Sequence, residues 1–262
     1  MRPEREVSAM FGFVLCADDY AMTAGISRGI LEALALGRLS ATGAMTNRPH
    51  WPVFARELAA FDGRADLGVH LTLTCAAPLT AMPAFAPGGV LPALPEVIRA
   101  GLTGRLPVGE LAAEIEAQLA AFEQAMGRIP DFIDGPYIRV SGDAMARILA
   151  RRQFLPKAMQ VKQLSAGFAA KLAEAGFAAN DGFAGFSAFD AAADYGAQFA
   201  SYLAAPGPRH LVMCHPGHVD GELATLDPVL GSREAELAFL KSPAFTECCD
   251  RAGARLVRMP RP

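Results

Sequence analysis

Two acids and two histidines stand at the ends of three apolar runs, and their types and spacing suit hydrolytic chemistry. Asp18 and Asp19 close the run Phe13-Val-Leu-Cys-Ala17. His70 lies in Leu67-Gly-Val-His-Leu-Thr-Leu-Thr74, and His215 in His210-Leu-Val-Met-Cys-His-Pro-Gly217. Two adjacent ionised carboxylates repel, and their pKa values separate unless a cation neutralises them. A divalent metal is such a cation. One Asp binds it while its neighbour, facing the other way along a strand, takes a proton from the water the metal activates. The competing assignment is a helix N-cap, since Ala21-Met-Thr-Ala-Gly-Ile26 opens a helix.

Alternation on a strand places His70, Thr72 and Thr74 on one face and Leu71 and Leu73 on the other, so the imidazole has polar company, as in a lined cavity. His215 is fixed between a strand and a Pro-Gly turn, a good mounting for a general acid. His218 and Asp220 complete a His-x-x-His-x-Asp spacing that resembles a metal site. For His218, solvent-exposed loop polarity is the favoured reading, and for Asp220 the two readings are even. Cys214 and His215 point to opposite faces of a strand, which argues against a thiol–imidazole pair and for a small buried Cys214. Cys248 and Cys249 read the same way on a helix. The glycines of Asn180-Asp-Gly-Phe-Ala-Gly-Phe186 do not follow a strand–GxGxxG–helix order, so they speak for a close-approach loop rather than a dinucleotide site. Phe183 and Phe186 there offer apolar faces to a sugar ring or to the core.

The elements that must position these groups alternate along the chain. Strands are expected over Phe11–Cys16, Ser40–Met45, Asp66–Thr74, Pro130–Asp134, His210–Cys214 and Arg255–Met259. Helices are expected over Ile26–Gly37, Trp51–Phe61, Gly109–Met126, Lys157–Ala175, Tyr195–Leu203, Arg233–Leu240 and Phe245–Ala252. In the helix Gly109–Met126, Leu111, Ile115, Leu119 and Phe122 form the apolar face, with Glu110, Glu114, Glu116 and Glu123 elsewhere. Ala76–Pro95, broken by prolines and glycines, is expected to be a long loop over the site. This alternation predicts an α/β fold, a distorted (β/α) barrel with a mostly parallel sheet in a single domain.

At 262 residues the chain is long enough for one such barrel. A net charge of −3 with scattered Arg and Lys gives no nucleic-acid footprint. No apolar run reaches the ~20 residues of a membrane span, and the N-terminus has no signal-peptide pattern. Five cysteines without C-x-x-C spacing argue against a disulfide framework. The expected location is cytoplasmic, with a homodimer as the default oligomer.

Taken in order, these segments resemble the YdjC-like carbohydrate deacetylases, a family that includes chitooligosaccharide deacetylases and deacetylases of hopanoid-glycolipid biosynthesis. The resemblance covers nearly the whole length. It rests on Ala17-Asp-Asp-Tyr20, Thr42-Gly-Ala-Met-Thr-Asn47, Gly68-Val-His-Leu-Thr-Leu-Thr74, Asn180-Asp-Gly-Phe-Ala-Gly-Phe186, Cys214-His-Pro-Gly217 with Asp220, and Ser232-Arg-Glu-Ala-Glu-Leu237. It implies a distorted barrel that removes an N-acetyl group from an amino-sugar substrate, oligosaccharide or glycolipid, with a divalent Mg or Zn ion. Asp18 resembles the general base, His215 the acid that protonates the leaving amine, and Asp19 and His70 metal ligands. Asn47, Thr72, Phe183, Phe186 and Asp220 are the expected substrate contacts.

One part of the family pattern is absent. The strand ending at Asp134-Gly135 continues in the family into a histidine-rich run that supplies the remaining ligand. Here Pro136-Tyr-Ile-Arg follows, and no histidine occurs between His70 and His210. Tyr137–Asp143 resembles a segment that relatives carry well downstream. Either a segment of the protein is missing from this sequence between Gly135 and Pro136, or the deletion is real. In the second case the chain is a catalytically degenerate carbohydrate-binding homologue. An intact mass set against 27.6 kDa decides between them. A phosphoester or other amide hydrolase and a partner-binding protein are the remaining alternatives.

Overall fold

The computed structural model describes residues 10–135, 180, 182–207 and 209–259. Its strands are β1 (Phe11–Tyr20), β2 (Ala41–Ala44), β3 (Asp66–His70), β4 (Ile133–Asp134), β5 (Gly182–Ala184), β6 (His210–Cys214) and β7 (Ala254–Leu256). All pair in parallel, in the order β4-β3-β2-β1-β6-β5, with β7 also on β1. Between them run helices α1 (Ala24–Ala35), α2 (Trp51–Leu58), α3 (Leu94–Leu102), α4 (Val108–Met126), α5 (Tyr195–Tyr202), α6 (Leu223–Leu226), α7 (Gly231–Lys241) and α8 (Pro243–Ala252). The expected helix Lys157–Ala175 and the segment Tyr137–Asp143 lie outside the described residues.

The sheet is curled. Strands three places apart in a flat sheet stand ~14 Å from each other, yet Cys16 Sγ on β1 lies 3.8 Å from Asp134 Oδ2 on β4. That inward bend makes the mostly parallel sheet a distorted barrel, and it gathers side chains from distant strands at one end. Gly43 on β2 makes room for the gathering: a Cβ there would sit 3.1 Å from both Asp134 Oδ1 and the His70 Cβ.

The central strand is buried on both faces, as a continuous apolar run in a parallel sheet requires. It is longer than its expected span, and the acids lie inside it. Helix α1 buries Ile26, Ile30 and Leu34, and its N-cap is Thr23, whose hydroxyl accepts the Ile26 N–H at 3.3 Å. Asp18 and Asp19 therefore do not cap this helix. Helix α4 buries Leu111, Ile115, Leu119 and Phe122, and Trp51 stacks on Phe122 at 5.5 Å. Among the described residues no helix is long and apolar enough to cross a membrane.

Strand β3 ends at His70, short of Thr74: the Leu71 N–H still donates to the Asp134 carbonyl of β4 at 2.8 Å, but from Thr72 the chain bonds to a helix instead of to a strand. The Gln118 side chain of α4 takes the place of a strand edge. Its Oε1 accepts the Thr72 N–H at 3.0 Å and its Nε2 donates to the Thr72 carbonyl at 2.8 Å. One turn earlier, the fully buried Glu114 accepts the Leu79 and Thr80 N–H groups and the Thr80 hydroxyl. Glu110 does the same for Ala84 and Phe85. These acids anchor the expected loop; Glu114 does not face solvent. Gln118→Leu would strand two buried backbone groups, and we expect it to cost about 2–3 kcal/mol, read as a lower urea midpoint at unchanged slope.

Candidate active site

The site begins with a backbone irregularity. The β1–β2 register breaks between Ala17 and Tyr20, and Asp19 has φ +69°, in the left-handed region that non-glycine residues rarely occupy. A regular strand would send the two acids to opposite faces. The bulge instead turns both toward one imidazole, correcting the expectation that they face apart. Asp18 Oδ2 lies 3.8 Å from His70 Nδ1, and Asp19 Oδ1 lies 3.5 Å from His70 Nε2. His215, just past β6, brings its Nε2 to 3.9 Å from Asp18 Oδ2. Strands β1, β3 and β6 thus deliver these four sequence-predicted residues to one place.

Asp134 is a fifth member. Its Oδ1 lies 2.7 Å from His70 Nδ1, and the residue is buried. Burial would lower the His70 pKa, but the charge and hydrogen bond of Asp134, then the charge of Asp19, raise it above its ordinary value. With its Nδ1–H aimed at Asp134, the ring presents Nε2 to Asp19. Carboxylate–histidine pairs of this kind orient metal-binding imidazoles in many proteins.

Arg233 of α7 is the sixth. It is 1% exposed, and its Nη2 donates to Asp19 Oδ2 at 2.8 Å and to Asp227 Oδ2 at 2.5 Å. Burial pushes the Asp19 carboxyl up. The Arg233 guanidinium, with His70 and His215, outweighs that and holds it well below the usual carboxylate range. The carboxylate form of Asp19 is thus the one this environment favours.

A cavity of about 150 Å³ opens on Asp19 and His70, lined further by Arg48, Leu71, Thr72 and Cys75. Thr72 is the expected substrate contact that lines it. Asn47, Phe183, Phe186 and Asp220 do not. The Asn47 amide donates to the Ala77 carbonyl at 3.1 Å. Asp220 accepts the Gly25 and Leu223 N–H groups at 2.6 and 2.8 Å, tying the loop after β6 to α1. Phe183 packs against the small cluster of Val14, Cys16, Ala41, Phe132 and Leu211, while Phe186 is exposed. His218 pairs with Glu32 at the surface. Cys214, Cys248 and Cys249 are buried thiols outside any disulfide, and the Cys214 thiol donates to the Cys16 carbonyl at 3.5 Å. An aromatic group at the site is Phe189, whose ring meets His215 edge-on at 5.1 Å and whose φ is +55°.

The donor set fits a divalent cation with few protein ligands. Asp19 Oδ1 and His70 Nε2 are spaced as neighbouring donors around one ion. A magnesium site commonly takes one or two carboxylates and fills the rest with water, whereas catalytic zinc takes three protein ligands. Among the described residues, no third His, Cys, Asp or Glu completes a group with Asp19 and His70. The group of three that does form is Cys16, Asp18 and Asp134, deeper in the barrel.

Known proteins resemble this chain along almost its whole length. Residues 12–251 match the family described as YdjC-like protein. The chain is 29% identical over 260 residues to a chitooligosaccharide deacetylase from Enterobacter sp. (strain 638), covering 93% of this chain and 96% of that one. It is 30% identical over 249 residues to a chitooligosaccharide deacetylase from Yersinia pestis (strain Pestoides F), with the same coverage. In fold it resembles a crystal structure from Enterococcus faecalis V583, of a protein assigned to cellobiose-phosphate cleavage. The TM-score there is 0.76 at 18% identity, over 95% of this chain and 98% of that one. With its profile match and a relative this similar along almost all of both sequences, the chain belongs to the YdjC-like protein family.

Proposed function

We propose that the protein is a metal-dependent hydrolase that removes an N-acetyl group from an amino-sugar substrate, an oligosaccharide in the first instance and a glycolipid in the second. The observation that supports this reading is the meeting of Asp18, Asp19, His70 and His215 through contacts within 4 Å, with a cavity that Asp19 and His70 line. Asp19 and His70 would hold the divalent ion, which supplies Lewis acidity at the acetyl carbonyl. Asp18, within 4 Å of both imidazoles, takes the proton as water adds to the carbonyl carbon. His215 then protonates the nitrogen as the C–N bond breaks, leaving acetate and a free amine. Asp134 and Arg233 do not touch the substrate; they hold His70 and Asp19 in register.

A second reading has its own support. Two protein donors make a weaker metal site than three, and no histidine follows His70 before His210. A chain that binds the sugar without turning it over would carry such a site. The deciding experiment incubates the protein with N-acetylated chitooligosaccharides after chelation, then adds Mg, Zn or Co in turn. Metal-dependent release of acetate and amine in equal amounts is the expected result. Saturable oligosaccharide binding with no acetate at any metal concentration would overturn the enzyme reading in favour of the binding protein.

A further inference from the structure

Helix α7 grips the segment that carries His215. That segment, His215-Pro-Gly217, has two backbone N–H groups, because Pro216 has none. The His215 N–H is donated to Glu236 Oε2 at 2.6 Å, and the Gly217 N–H to the Arg233 carbonyl at 3.2 Å. Both partners lie on α7, one turn apart, and the same Arg233 reaches forward to Asp19. Glu236 is 2% exposed and shares its buried face with Leu237 and Leu240. Packing alone would favour another leucine at that position, since burying a carboxylate costs free energy unless it is used.

We propose that Glu236 is a positioning residue for His215, holding its backbone so that the imidazole stands between Asp18 and the Phe189 ring. The inference rests on the deacetylase reading for its kinetic consequence, though not for the contact itself. Glu236 is faced by Tyr195 and Tyr202 of α5, His215 just past β6, Arg233 of its own helix and Asp19 of β1. Burial is the largest influence and pushes its carboxyl up to about 7, against the pull of the His215 N–H and Arg233. An ionised carboxylate accepts a shorter, stronger bond than a neutral acid. The grip on His215 is therefore firm above neutral pH and relaxes as pH falls through about 7.

The test pairs the isosteric Glu236→Gln, which keeps an acceptor without the charge, with Glu236→Leu, which removes both. In wild type the His215 amide proton should move in a nuclear magnetic resonance titration with a midpoint near 7, and this step should vanish in Glu236→Gln. Acetate release should fall in wild type as pH drops through that range, and Glu236→Gln should lack this limb while keeping kcat within about 3-fold at low pH. Glu236→Leu should lower kcat by roughly 10–100-fold with KM within about 2-fold, its fold verified by its melting curve. An amide that does not titrate, or a Glu236→Leu protein with wild-type kcat and pH profile, would overturn the proposal. Should wild type release no acetate while the amide titrates, the deacetylase reading fails and the positioning contact stands.

Discussion

Asp18→Asn is expected to lower kcat by about 10²–10⁴-fold, the usual contribution of a general base, while leaving metal binding within about 3-fold of wild type. Asn is nearly isosteric with Asp, so the buried packing around a residue only 2% exposed survives. The Asp19–His70 donor pair is untouched, because Asp18 faces the Nδ1 side of His70 and Asp19 the Nε2 side. Isothermal titration with Mg or Zn, run beside the acetate assay, separates the two effects. If metal affinity and turnover fall together, Asp18 is a ligand and the base lies elsewhere.

Arg233→Met should be the most destabilising single change at the site, at about 3–5 kcal/mol. The guanidinium neutralises Asp19 and Asp227 together, and its Nε donates to the Val229 carbonyl at 3.0 Å. Methionine fills much of the volume and none of the charge. The loss should depend on pH, and the sign follows from Asp19, whose pKa is lowered in the folded state. A lowered carboxyl contributes stability that is present above its unfolded pKa and lost as pH falls toward the folded value. The gap between wild type and variant in chemical denaturation is therefore widest near neutrality and closes in acid. Adding Asp19→Asn to the variant should recover part of the loss, since one of the stranded charges is gone. A gap that stays constant from pH 7 down to pH 3 would show that packing, not charge, is what Arg233 provides.

The parts of the fold legible in the sequence are those with strong periodicity. The apolar run before Asp18 and the four-residue spacing of Leu111, Ile115 and Leu119 announce a strand and a helix without help from the rest of the chain. Asp18, Asp19, His70 and His215 were legible because each ends such a run. The residues that hold them were not. Asp134 sits on a strand of only two residues, and its partner His70 is 64 positions away. Glu114 and Gln118 occupy helix positions where polar side chains ordinarily meet water, and only the return of the chain after β3 buries them. Arg233 and Glu236 are three apart on α7, an ordinary exposed charge pair by pattern. One available signal was the motif Ser232-Arg-Glu-Ala-Glu-Leu237, whose charges interrupt the buried face containing Leu237 and Leu240. The turn of Asp19 into the left-handed region has no sequence signature, because Asp adopts it only where its neighbours impose it.

The place of β1 at the middle of the sheet has a consequence for how the protein is made. This strand precedes the other described strands in the chain, but Phe13 pairs with His210, Phe11 pairs with Ala254, and Asp19 waits for Arg233. At an elongation pace of roughly 5–20 residues per second, one edge of β1 stays unpaired for about 10–40 s before those partners emerge. Among the described strands, β2, some twenty-five positions behind, is the one that can cover an edge of β1 during that interval. Slowing translation anywhere between β2 and β6 would lengthen the exposure of that edge, whereas slowing it before β1 would not.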